Sequence, residues 1–267
     1  MENSTFYLEN LENPTNVSTE GQISVLPPKL FNYSYCLFSV VLLVFYVRAY
    51  LKHRTLDKTL PLFRVTNHFY NYIRIFYLLS ITVFIVYHLM NVHWYIAFAF
   101  VVFMNYGFIF LIVPFVFVTK SLHLILAMVA WEGLVSKFWS PTRHWSWWIL
   151  LAYVLVIVEE FTSAIFKVRQ HCYIAFNVFL LVSSIPILFS SQPSHLYKSL
   201  YYQLIITVLS KLIYISIFYL LVNSDLDDSI YACKMIDAFM TPIFIQVSYS
   251  WCARRKTNTV GYQTDNS

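Results

Sequence analysis

Glycine is almost missing: the chain of 267 residues holds four, and Gly21 and Gly261 lie in its terminal tails. Carriers that work by alternating access favour glycine for broken helices and close helix approach. No pair of interrupted spans and no internal repeat is present either, so a carrier is disfavoured. Re-entrant filter loops of the channel kind, which also rely on glycine, are absent between the apolar stretches. Charge is scarce as well. Charged residues make up 12% of the chain, against roughly 25% in soluble domains, too few to build a water-facing surface. Four scattered cysteines form neither a disulfide framework nor a metal set. No phosphate-cradling glycine loop, no H-E-x-x-H helix and no nucleophile elbow occurs, and the eight histidines give no metal-ligand pattern. An enzyme is not expected, nor a cofactor or a nucleic-acid partner.

What the chain has instead is apolar length. Hydrophobic residues make up 59%, and the mean hydropathy is +0.61. Stretches about a bilayer thick, separated by short polar loops, run from Phe31 nearly to the C-terminus. They cover Phe31 to Tyr50, Ile75 to Val92, Ile96 to Val135, Trp145 to Phe166, Tyr173 to Phe189, Leu200 to Val222 and Tyr231 to Trp251. The third, of about 40 residues, is long enough for two crossings with a turn near Pro114 to Ser121, which would make eight spans.

Positive charge decides between seven and eight, because Lys and Arg gather in cytoplasmic loops. Seven spans with an outer N-terminus place Arg48, Lys52, Arg54, Lys58, Arg64, Arg74, Lys137, Arg143, Lys198, Arg254, Arg255 and Lys256 inside. Only Lys29, Lys167, Arg169 and Lys234 stay on the outer side. Eight spans would export the basic C-terminal group. The expectation is therefore an all-α integral membrane protein, a seven-transmembrane helix bundle with a cytoplasmic C-terminus and one long third helix that bends at Pro114. Residues 1–30 read as an extracellular tail, 31–252 as the bundle and 253–267 as a cytoplasmic tail. The first thirty residues lack a basic n-region and an apolar h-region, so they are not read as a cleavable signal.

Orientation gives the tail meaning. Asn3 and Asn16 lie in N-x-S/T sequons on the glycosylation-competent side. Cys172 and Cys233 share the oxidising side and can pair, with Cys36 a third candidate and isolated apolar-environment cysteines the alternative. Trp139, Trp145, Trp147 and Trp148 cluster as an aromatic belt at the cytoplasmic interface.

An ionisable group in hydrocarbon is costly unless it faces partners or water, so polar residues inside spans carry most of the functional information. Glu159 and Glu160 lie roughly 9 to 10 Å below the outer end of the fourth helix, and Asp237 lies at a similar depth in the seventh. Lys234 stands one turn from Asp237 and can pair with it. Lys211 is nearer the middle of the sixth helix. Lys120 and Glu132 fall in the inner half of the third helix, about 18 Å apart and beyond direct pairing. Acids at one depth on two helices, with a lysine on a third, suggest a water-filled cup opening outward, a small-molecule pocket of Glu160, Asp237, Lys211 and Glu159. The alternative is that these groups only fix helix packing. Arg64, Arg74, Lys137 and Arg143 offer a basic inner surface to an acidic partner or to anionic lipid.

Two segments resemble a known family. The first inner loop reads Leu60-Pro61-Leu62-Phe63-Arg64-Val65-Thr66-Asn67-His68-Phe69-Tyr70, and the last helix runs from Asp237 through Thr241-Pro242-Ile243-Phe244-Ile245-Gln246-Val247-Ser248-Tyr249 to Cys252 and a basic tail. With Leu122-His123-Leu124, these resemble the nematode serpentine chemoreceptors of class Z. The resemblance implies a G-protein-coupled receptor in the plasma membrane of a sensory neuron cilium, binding an environmental small molecule and a heterotrimeric G protein. One departure stands out: where such receptors often keep an arginine at the inner end of the third helix, this chain reads Ala130-Trp131-Glu132-Gly133. That leaves a receptor-like chain without signalling as an alternative, beside a carrier or channel subunit.

Overall fold

The computed structural model describes residues 28–90, 94–135, 145–189, 194–221 and 226–264. Every regular element among them is an α-helix, in the order α1 (Pro28–Asp57), α2 (Phe63–Met90), α3 (Trp94–Val135), α4 (Trp145–Ile165), α5 (Arg169–Phe189), α6 (His195–Leu221) and α7 (Leu226–Thr264). The sequons at Asn3 and Asn16, and Lys137, Trp139 and Arg143, lie outside the described residues. Two compact units divide the chain, Met1–Val40 and Val41–Ser267. The described part of the first is the opening of α1. It starts on Pro28, whose missing N–H is one of the donors a first helical turn leaves unused. Leu37 and Phe38 are exposed there.

In the second unit the apolar residues face outward as well as inward. Trp147 is 70% exposed, and Leu150, Val154, Val158, Phe161 and Ile165 continue the exposed face of α4. Such a surface suits lipid, where helices are favoured because each satisfies its own backbone. Six of the helices, among the described residues, are long and apolar enough to cross a bilayer. The molecule is a multi-pass, seven-helix membrane bundle.

The third apolar stretch is one helix of 42 residues running unbroken through Pro114, so the eight-span alternative does not arise. At 1.5 Å per residue α3 is about 63 Å long, twice the hydrocarbon thickness. α3 is also the hub, touching α2, α4, α5, α6 and α7. Its segment from Lys120 to Ala130 is buried on nearly every side, and Ala127, Ala130 and Gly133 keep the close-packed face small. Leu122, Ile125 and Leu126 meet Phe69 and Ile73 of α2, Leu180 of α5 and Leu204 of α6 in one core. Several helices outrun the hydropathy boundaries. α2 begins at Phe63, about three turns before the apolar run from Ile75. α7 continues to Thr264, through residues expected to form a tail.

Two connections are tight enough to set antiparallel neighbours. Between α1 and α2 the chain turns on bonds from Leu60 N–H to Asp57 C=O (2.9 Å) and Phe63 N–H to Leu60 C=O (3.1 Å). After α4, Val168 N–H reaches back to Ser163 C=O at 3.2 Å, which makes Lys167 the residue past the helix end in a Schellman-type cap. Its φ of 55° lies in the left-handed region that glycine fills without strain. Lys167→Gly is therefore expected to raise stability by about 0.5–1 kcal/mol, read as a higher Tm of the solubilised protein.

Candidate functional site

Register brings the buried charges together. Lys120 lies 15 residues before the end of α3, and Glu160 lies 15 residues after the start of α4. In antiparallel neighbours these stand at one level, about 22 Å from the shared connection. The Lys120 ammonium accordingly pairs with Glu159, and with Glu160 Oε1 at 2.8 Å. The expectation that Lys120 sits at the inner level is corrected by this. The expectation divided the whole of α3, whereas the span long and apolar enough to cross a bilayer among its described residues is Val113–Val135, and Lys120 falls in the first half of it.

Lys234 of α7 adds a second cation to the same carboxylate, donating to Glu160 Oε1 at 2.9 Å and Oε2 at 3.1 Å. It does not pair with Asp237, as its one-turn spacing had suggested. Asp237 instead pairs with the Lys211 ammonium of α6 and accepts from the Tyr214 hydroxyl. Both choices pair opposite charges, and the register decides between them: it sets Lys211 beside Asp237 and Glu160 beside Lys234. Lys120, Lys211 and Asp237 are buried, with Lys211 only 4% exposed. Three ammoniums face three carboxylates, so the cluster is balanced, and balance makes burial of charge tolerable.

A crevice between α3, α5, α6 and α7 encloses about 20 Å³, room for one water-sized group and far below the usual range for ligand cavities. Its wall carries Lys120, Lys211, Lys234 and Asp237, with Tyr173 and Phe176 of α5 as aromatic surfaces. Lys120 lies 5.1 Å from the centre of the Phe176 ring. Thr119 and His123 of α3 complete the polar lining. Each is tied across the bundle, His123 Nε2 to Thr241 Oγ1 of α7 at 3.1 Å and Thr119 Oγ1 to the Tyr72 hydroxyl of α2 at 3.0 Å. Of the four residues expected to form a pocket, Lys211 and Asp237 are on the wall. Glu159 and Glu160 stand behind it, holding Lys120 and Lys234.

The opposite half, where the basic residues of the α1–α2 turn lie, holds a polar centre that sequence reasoning missed. Asp57, at the end of α1, is 0% exposed. Its Oδ2 accepts from the Tyr249 hydroxyl of α7 at 2.9 Å. His195 Nε2, at the start of α6, is 3.0 Å from Oδ1, near enough for an ion pair though not aligned as a hydrogen bond. Next to it, the Tyr197 hydroxyl of α6 donates to Glu132 Oε2 of α3 at 3.1 Å. The first turns of α6 are thus held by two acids on two helices. A signal was there: Asp57 is the one carboxylate between Glu20 and Glu132, in the midst of Arg48, Lys52, Arg54 and Lys58.

Other expected groups separate. Arg64 donates to Ser146 Oγ of α4 at 2.7 Å, while Arg74 lies ten residues further along α2, about 15 Å away along the axis. Cys172 and Cys233 both carry free thiols, Cys233 buried against Tyr173 and Ile230. Among the described residues of the expected belt, Trp145 is buried in the core, while Trp147 and Trp148 are exposed.

Residues 29–254 match the model of a family described as serpentine type 7TM GPCR chemoreceptor Srz. No curated protein and no solved structure matches the chain.

Proposed function

The chain belongs to the serpentine type 7TM GPCR chemoreceptor family Srz, and from that premise we propose that it binds an environmental small molecule in the α3–α5–α6–α7 crevice and signals to a G protein. The observation that carries the reading is the crevice itself, with paired charges from three helices on its wall. Charge distribution supports an outer N-terminus, which turns the crevice half outward and the Asp57 half toward the cytosol. On this orientation the tail sequons face outward, and the receptor sits in the plasma membrane, in a sensory cilium.

A ligand that engages Lys211 or Asp237 competes with the tie between α6 and α7. Those two helices also meet the two acids at the far end, so an altered α6–α7 pairing changes the strain on the Asp57 and Glu132 ties. Release there exposes a basic surface that includes Arg64, where an acidic face of a G protein is complementary. Agonist and G protein then stabilise the same open state, and each favours binding of the other.

The test is the paired replacement Lys211→Met with Asp237→Leu, which removes both charges and leaves neither unpaired. Cells displaying the variant at normal surface density are expected to lose the second-messenger response to a ligand that activates the parent. An undiminished response would place the ligand elsewhere. Tracer flux or ion current without any messenger response would favour a carrier or channel instead.

A further inference from the structure

We propose that the crevice takes a small organic anion, a carboxylate or comparable monoanion on a short apolar or aromatic body; this rests on the ligand-binding reading above. The wall presents three ammoniums against one carboxylate, an excess of two positive charges. The balancing acids, Glu159 and Glu160, are not on the wall. They lie behind the lysines they bind, so an entering ligand meets the lysine side of each pair.

Hydrogen-bonding capacity points the same way. Each ammonium has three donors, and these meet carboxylate oxygens through Lys120–Glu159, Lys120–Glu160, Lys211–Asp237 and the two-oxygen contact of Lys234 with Glu160. The single wall carboxylate, by contrast, has one oxygen on Lys211 and the other on the Tyr214 hydroxyl. Donor capacity therefore exceeds acceptor capacity at the wall. A cationic ligand would face three ammoniums and one carboxylate already engaged on both oxygens.

An independent feature is the Tyr173 hydroxyl. Tyr173 lines the crevice and is 7% exposed, with its hydroxyl beside the Asn177 side chain and the Cys233 thiol. A thiol sulfur is a weak acceptor, so an anion oxygen is the better partner for this buried hydroxyl. Phe176 and Val116 give the apolar surface for the rest of the ligand. The crevice encloses only about 20 Å³, so the charged head fills it and a body as large as a ring enters only as the helices part. Binding would also act on the helices directly, since an anion that draws Lys211 from Asp237 or Lys234 from Glu160 loosens α7 from α6 or from α4.

The experiment uses the full chain in lipid nanodiscs, titrated with benzoate, benzamide, benzylamine, hexanoate and hexanamide to about 10 mM. Binding is read as a rise in Tm. The carboxylates are expected to bind at least about 10-fold more tightly than their amides, and the amine not at all. Tyr173→Phe should weaken benzoate binding by about 3- to 10-fold, and Lys234→Met by about 10- to 100-fold. Both variants leave the Lys211–Asp237 pair intact, and Lys120 still pairs with Glu160. Amides or the amine binding as well as the carboxylates, with the same sensitivity to Tyr173→Phe, would overturn the anion assignment and leave the site in place. Carboxylate binding indifferent to both variants would overturn the site, and absence of binding by every probe would overturn both.

Discussion

Asp237→Leu alone is expected to abolish surface display, while the same change made together with Lys211→Met restores it. Lys211 and Asp237 are buried partners on α6 and α7. Removing one leaves the other as an unpaired charge in a low-dielectric interior, a cost of about 3–5 kcal/mol. Against total stabilities of about 5–15 kcal/mol, that is enough to divert much of the protein to quality control. Removing both charges eliminates the penalty, and leucine with methionine refills much of the volume. Antibody staining of intact cells, compared with total protein, measures the displayed fraction. Equal display of the single and double variants would mean that the ammonium and carboxylate are solvated rather than buried together, and the crevice would then be an open vestibule.

The number of helices was legible because hydropathy reads burial in lipid directly, and the basic residues resolved the ambiguous stretch into the single α3. The charge partners were not legible, because hydropathy marks where a span is apolar and says nothing of its register against a neighbour. The Lys234–Asp237 expectation failed in this way, and so did the inner placement of Lys120. A simple signal had been available. Tyr50 and Tyr70 lie equally far from position 60 in the α1–α2 turn, Lys120 and Glu160 equally far from position 140, and Lys211 and Asp237 equally far from position 224. Helices joined by a short connection run antiparallel, so residues equidistant from it stand at one level. The structure shows Tyr50 stacked on Tyr70 at 4.0 Å and both ion pairs formed.

The segments that carried the family resemblance have a physical reading in these contacts. Asn67 accepts from the Tyr50 hydroxyl at 2.8 Å, His68 meets Tyr153 of α4 at 2.9 Å, and Tyr70 makes the stack. On α7, Thr241 meets His123, Gln246 donates to the Tyr77 hydroxyl at 2.9 Å, and Tyr249 holds Asp57. Their polar residues are the rivets between helices, which have little hydrophobic drive to associate inside lipid. The missing arginine in α3 falls into the same pattern. Where it would stand, Glu132 of α3 accepts from Tyr197 of α6, so the charge at that end of α3 is negative instead of positive.

That substitution makes the Asp57 centre the second place where a large effect is expected. Asp57→Leu should raise ligand-independent signalling by about tenfold, since it removes the acceptor of Tyr249 and the polar neighbour of His195 together, and hydrogen bonds to a charged group contribute about 1.5–3 kcal/mol. One tie on α6, Tyr197 to Glu132, would remain. Asp57→Asn keeps an acceptor oxygen for Tyr249 and should raise the basal signal less. Tyr249→Phe removes a single hydroxyl with little change in volume, and should give an intermediate rise even if the leucine variant folds poorly. Tyr197→Phe combined with Tyr249→Phe should exceed either alone, because each holds a helix that the other does not. Basal second messenger per displayed receptor is the measurement. A basal signal unchanged across these variants at matched surface density would make the Asp57 centre a packing device, and the opening of α6 would then have to be controlled from the crevice end.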